Sequence, residues 1–242
     1  MFKAFRSFNT NVKVFTGVAG ALVGVQALSV YNPIYLENLK SVLVDNSIDP
    51  FPTKLSNYSM LGHGVRSVTF IGFKVYGAAI YVKDSDKSKV KSIVSERGFE
   101  KLEDVEESTE LISKICDSVD FKVRICPVRN TDFNHLRDGF VKSILSNPLS
   151  KNNAAVGAGL DELRTLFKGF KGSVPKNHIL LLQTDKGKLT FTYENTKTGE
   201  IKVLGTVNEP LVSKLLLISY LSSRKPLSEP LRKSCVEGIK NL

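Results

Sequence analysis

The chain has 242 residues, 42% of them hydrophobic and 24% charged, enough for a substantial core in one or two domains. Its formal charge of +10 resembles a nucleic-acid signal, but the lysines are scattered, without the arginine-rich blocks or aromatic–basic interleaving of nucleic-acid readers, so no nucleic-acid partner is expected. Three widely spaced cysteines, Cys116, Cys126 and Cys235, offer neither a disulfide framework nor a metal-ligand spacing.

Residues 1–36 carry Lys3, Arg6 and Lys13 but no acid; the first carboxylate is Glu37. Phe2, Phe5 and Phe8 alternate with Lys3, Arg6 and Ser7, a basic amphipathic stretch that reads as a mitochondrial presequence over 1–13. An uncharged run, 14–30, follows at the short end of what spans about 30 Å of hydrocarbon. Tyr31 and Tyr35 suit an interface, and Gly17, Ala21 and Gly24 suit a close helix contact. The expectation is a membrane anchor over 14–36, in the mitochondrial inner membrane. A secretory signal peptide and a transit peptide removed whole are the other two readings. Residues 37–52, with Pro50 and Pro52, read as a linker into a folded domain over 53–242.

The first elements of that domain hold the most informative residue. Leu61-Gly62-His63-Gly64-Val65-Arg66-Ser67-Val68-Thr69-Phe70 and Phe73-Lys74-Val75-Tyr76-Gly77-Ala78-Ala79-Ile80-Tyr81-Val82 are β-rich runs flanking Ile71-Gly72, the signature of a hairpin. A tight turn centred on Ile71 places Arg66 directly across from Tyr76. Period-two alternation then puts Val68, Phe70, Ala78, Ile80 and Val82 on the face of that pair. A guanidinium is never deprotonated, so its burial calls for an anion or several acceptors. A carboxylate within the protein, an exposed edge face or a bound anion would each satisfy it.

Helices are expected over 86–95 and 105–116, the second with Leu111, Ile112 and Ile115 on one face. Residues 121–126 alternate as a strand that stops at Pro127, and Asn130-Thr131-Asp132 caps a helix carrying Phe133, Leu136, Phe140, Val141 and Ile144. A helix over 153–167 and a loop marked by Gly169, Gly172 and Pro175 come next. A hairpin, 178–184 with 188–194, turns on Asp185-Lys186-Gly187, and 201–207 adds a strand. Pro210 opens an apolar helix, and 228–241 forms the last. This order fits an α+β domain, an antiparallel sheet with helices on one side.

Other polar clusters have ordinary explanations. His135 and Asp138 share a helix face, as a capped helix start with surface ion pairs would place them. His178, before an apolar strand, reads as structural. Gly62-His63-Gly64 has no following helix and so is not a phosphate loop. Cys116 and Cys126 occupy packing positions, although Cys126-Pro127 is a dipeptide sometimes seen in haem-responsive proteins.

The Gly-x-Gly-x-Arg opening at Gly62, Gly64 and Arg66, its continuation through Val82, the Arg129-to-Phe140 run and the Val174-Pro175-Lys176-Asn177-His178 strand entry together resemble the chalcone isomerase family over about 53–242. Within it, Arg129-Asn130-Thr131-Asp132-Phe133-Asn134-His135-Leu136-Arg137-Asp138-Gly139-Phe140 and the N-terminal layout are similar to the fungal mitochondrial members named for altered inheritance of mitochondria. The resemblance implies an open-faced β-sandwich, a large antiparallel sheet covered on one side by helices, with a ligand cleft between. It implies that Arg66 stabilises negative charge on a bound oxygen. Tyr76 stands where true isomerases use a threonine, Asp132 or Phe133 and Gly139 stand where they use a tyrosine and an asparagine, and Ser219 matches a late-helix Ser/Thr. Pairing Arg66 with a tyrosine resembles instead the non-catalytic, fatty-acid-binding branch. The function implied is retention of an amphipathic carboxylate, a fatty acid or haem, on Arg66, Tyr76 and Ser219, with His63 or His135 near the iron if the ligand is haem. The alternative is an isomerase of the intramolecular-lyase type, with Arg66 as electrophile, Tyr76 as acid and Ser219 as helper, acting on a chalcone-like or enone substrate.

Overall fold

The two runs that flank residue 71 form the two longest strands, and everything else is arranged around them. The computed structural model describes residues 40–68 and 72–242. The expected presequence (1–13), the expected anchor (14–36) and the hairpin apex at Ile71 lie outside the described residues. Among those residues, no helix is long and apolar enough to cross a membrane.

In chain order the elements are β1 (Ser41–Val42), β2 (Phe51–Pro52), β3 (Lys54–Leu55), β4 (Tyr58–Val68), β5 (Phe73–Lys83), α1 (Lys87–Arg97), α2 (Glu107–Cys116), β6 (Phe121–Pro127), β7 (Thr131–Asp132) and α3 (Phe133–Leu145). Then come α4 (Ala154–Lys168), β8 (Ser173–Val174), β9 (Ile179–Asp185), β10 (Lys188–Asn195), β11 (Glu200–Val207), α5 (Pro210–Leu221) and α6 (Glu229–Lys240). Helices α3, α4 and α6 begin where a side chain satisfies free amides. Asp132 accepts from the His135 amide, Asn153 from Ala155 and Val156, and Ser228 from Leu231. Pro210, whose missing amide proton is harmless in a first turn, starts α5.

Seven strands pair in the order β11-β10-β9-β6-β5-β4-β3, antiparallel throughout, which makes the α+β architecture expected from the sequence. One face carries Tyr76, Ala78, Ile80 and Val82 of β5, with Val123 and Ile125 of β6, Leu180 and Leu182 of β9 and Phe191 of β10. It packs on Val90, Ile112, Phe140, Leu163, Leu216 and Val236 from the helices. This is the main core, and it lies on one side of the sheet.

The opposite face has a smaller cluster, Ile48, Phe51, Tyr58, Ala79, Tyr81, Cys126 and Val128. It corrects the expected linker over 37–52: from Ser41 the chain pairs β1 with β2 and buries Ile48 and Phe51 against the sheet. The proline spacing suggested a spacer, but the buried Phe51 makes the segment a strap. Asp45 pins it. Its carboxylate accepts from Lys74 at 2.6 Å and from the Ser47 amide at 2.8 Å, and these bonds, the Lys74 one foremost, hold its pKa down at about 2. A folded-state pKa below the unfolded value of about 3.9 stabilises the fold above pH 4, and that contribution is lost as pH falls toward 2. Lys74 is half exposed, so solvent screening limits the contribution to about 1 kcal/mol. Urea titrations should find Asp45→Asn less stable by that amount at pH 7 and by clearly less near pH 2, where the deficit is disappearing as the carboxyl protonates. An equal deficit at both pH values would mean that packing, not the ion pair, is responsible.

Candidate ligand site

Arg66 is placed by the contact between β4 and α6. A side chain at Gly62 would strike the Cys235 backbone, and one at Gly64 the Leu231 backbone. Gly238 faces the Leu61 carbonyl with equally little room. The strand and helix therefore meet backbone to backbone. Ser228 reinforces the seam by donating to the Val65 carbonyl at 2.7 Å, and Ser234 Oγ accepts from the His63 amide at 3.1 Å. With its foundation locked against α6, β4 delivers Arg66 to the helix-covered face.

Arg66 pairs with Tyr76 in the β4–β5 register, the pairing expected from the sequence. Beyond the pair the register slips: Ser67 faces Lys74, which leaves Val75 as an extra residue on β5. Such a bulge sharpens local twist and re-aims neighbouring side chains. Val68 keeps the face of Arg66 and is exposed at the rim of the cleft.

The Arg66 guanidinium donates to the Tyr76 hydroxyl at 3.0 Å, and the Tyr76 and Tyr220 oxygens are 2.6 Å apart. Both tyrosines are buried, and burial pushes the Tyr220 hydroxyl far above its usual pKa. A cleft of about 590 Å³ opens beside them, walled by Thr131, His135, Leu136 and Phe140 and by Val75 and Phe73. Arg129 lies 3.6 Å over the Phe73 ring at the rim, a cation–π contact joining the two walls. Among the described residues no carboxylate pairs with Arg66. Asp132, the acid of the cleft wall, is engaged in capping α3 through its 2.8 Å bond from the His135 amide. Arg66 is thus a half-buried cation with a hydroxyl partner and an apolar hollow in front of it.

The other expected site residues divide. His135 lines the cleft at an exposed position on the first turn of α3. His63 does not, because it is three residues from Arg66 and alternation aims it to the opposite sheet face. Ser219 does not line the cleft either. Its hydroxyl donates to the Leu216 carbonyl of its own helix at 2.6 Å, and its carbonyl accepts from the Leu227 amide. The group that α5 sends to Tyr76 is the neighbouring Tyr220, which is absent from the sequence expectation. Its signal was a tyrosine on a predominantly apolar helix, where the hydroxyl must find a partner. Gly139 borders the cleft, and a side chain there would meet nothing within 4 Å. The position where the family resemblance points to an asparagine therefore presents no side chain. His178 is buried and bonds the Tyr193 hydroxyl through Nδ1 at 2.5 Å. Burial pushes the Cys116 thiol up to about 12 and the Cys126 thiol to about 11, as packing roles require.

A curled antiparallel sheet with helices on one face, an arginine–tyrosine pair and a cleft above it define a chalcone isomerase-like domain, and the chain belongs to that family: the model described as "Chalcone isomerase like" matches residues 56–236. Among curated proteins, the chain is 48% identical over 255 residues to altered inheritance of mitochondria protein 18, mitochondrial, of Debaryomyces hansenii, covering 92% of this chain and 86% of that one. The protein of the same name in Kluyveromyces lactis is 39% identical over 266 residues, 97% of this chain and 84% of its own length. A fatty-acid binding protein of Arabidopsis thaliana shares the fold, with a TM-score of 0.65 at 18% identity over 83% of this chain and 97% of that one.

Proposed function

We propose that this domain holds an amphipathic carboxylate, most simply a fatty acid, in the cleft beside Arg66, and that it does so without turning the ligand over. The single observation that carries this is a half-buried guanidinium, bonded to Tyr76 but paired with no described carboxylate, at an apolar hollow of about 590 Å³. That volume is within the usual range for small-molecule sites, roughly 300–1,000 Å³. A carboxylate entering head first gains a charge-assisted bond from Arg66 while its tail takes the apolar walls. Support for holding rather than turnover comes from the opposite wall: Gly139 offers no hydrogen-bonding group and Asp132 is committed to the helix cap. The relatives carry mitochondrial names, which supports a mitochondrial location; in this proposal residues 1–13 supply the import address and 14–36 the tether to the inner membrane.

The test uses protein isolated from its own organelle. Native mass spectrometry should find a fatty-acid mass on the wild type and none on Arg66→Met. Oleate affinity should fall about ten- to a hundredfold in the variant, the loss of one charge-assisted bond worth about 1.5–3 kcal/mol. A Soret band in the same sample would assign haem instead, with His135 as the axial candidate. Equal oleate affinity in both proteins would sink the reading.

A further inference from the structure

The hydroxyl chain behind Arg66 has a defined polarity. Tyr220 is fully buried, and the hydrogen-bond partner of its hydroxyl is the Tyr76 oxygen at 2.6 Å. Were Tyr76 the donor in that bond, the Tyr220 proton would be left pointing into the packing of α5, a desolvated donor without an acceptor. The favoured arrangement has Tyr220 donating. The Tyr76 oxygen then accepts twice, from the Arg66 guanidinium at 3.0 Å and from Tyr220. A phenol oxygen has two lone pairs, so its acceptor capacity is filled and its own proton is the one group left to offer. Tyr76 lines the cleft.

We infer that Tyr220 is a positioning residue that turns Tyr76 into an obligate donor aimed at the head of the ligand. This rests on the ligand site proposed above and specifies the head group it takes: an oxygen that accepts and does not donate, such as a carboxylate. Two incoming bonds, one from a cation, also polarise the Tyr76 hydroxyl and strengthen its outgoing bond. A head group that must itself donate finds no acceptor on Arg66 or Tyr76. The preference for a carboxylate over the corresponding alcohol is therefore set partly by a residue that touches neither.

The experiment is a double-variant cycle with oleate and oleyl alcohol as probes. Tyr220→Phe keeps the ring and removes the hydroxyl. It should weaken oleate about three- to tenfold and oleyl alcohol by less than about twofold, with the melting temperature close to wild type. In a Tyr76→Phe background the same change should have no further effect on oleate, because the donor it orients is gone. The inference is overturned if Tyr220→Phe leaves oleate affinity unchanged, weakens both probes alike, or weakens oleate equally in both backgrounds. Should Tyr220→Phe not fold, nuclear magnetic resonance of the wild type reads the same point: the slowly exchanging hydroxyl proton of the pair should belong to Tyr220, and its assignment to Tyr76 overturns the inference. Oleate affinity undiminished in Arg66→Met would instead remove the site itself, so the two failures are distinguishable.

Discussion

Arg66→Met should melt higher than wild type when both are empty and lower when both are saturated with oleate. The side chain is half-buried, bonded to the Tyr76 hydroxyl and paired with no described carboxylate, so the apo protein carries a charge that is only partly compensated. Replacing buried ionic groups by apolar ones of similar volume is often neutral or stabilising by about 1–4 kcal/mol. Because the cleft admits water to Arg66, the low end applies, about 1 kcal/mol, or roughly 2–4 °C in a domain of this size. Methionine fills the space without a charge, and the Tyr76–Tyr220 bond survives. Ligand reverses the order, because binding to the native state stabilises it by about 2.7 kcal/mol at a hundredfold excess over Kd, and only the arginine protein binds well. Differential scanning calorimetry with and without oleate reads both halves. If the empty methionine protein melts lower, Arg66 is a structural residue and its charge is already satisfied.

Gly62→Val should cost at least about 3 kcal/mol, lowering the melting temperature by roughly 6–12 °C, and should impair ligand binding even where the protein folds. A side chain at Gly62 collides with the backbone of Ser234 and Cys235 rather than with a flexible side-chain end. Relief requires α6 to move off β4, and Leu231, Cys235 and Val236 of that helix are in the main core. A shift of the seam also re-aims Arg66, four residues along the strand. Gly157→Ala is the matched control. Gly157 sits in α4, and a side chain there meets nothing within 4 Å, so the change should stabilise by up to about 1 kcal/mol. Denaturant midpoints for the two variants test the assignment; a tolerated valine at Gly62 would show that the seam is loose and that the Gly-x-Gly spacing has another purpose.

Much of this architecture was legible in the chain itself, for local reasons. Side chains alternate strictly along a strand, so the hairpin reading paired Arg66 with Tyr76 and put Ala78, Ile80 and Val82 in the core. The pairs nearest the apex, Ser67 with Lys74 and Val68 with Phe73, are offset by one residue from a turn centred on Ile71, and the bulge at Val75 absorbs that offset. Helix periodicity and the capping residues Asp132, Asn153 and Ser228 marked α3, α4 and α6 within a residue or two. The same alternation also separates His63 from Arg66. Proximity in sequence concealed that separation.

What only the tertiary structure decided depends on elements far apart in the chain. The Tyr220 hydroxyl reaches Tyr76 from 144 residues away, and which of Ser219 and Tyr220 points to Tyr76 follows from the rotation of α5 against the sheet. A helix whose apolar residues are spread over most of its circumference does not reveal that rotation. The bulge at Val75 and the strap over Phe51 likewise arise from packing between elements. Periodicity and capping are local and can be read residue by residue; the depth, neighbours and proton partners of a site residue are set when distant surfaces close on one another.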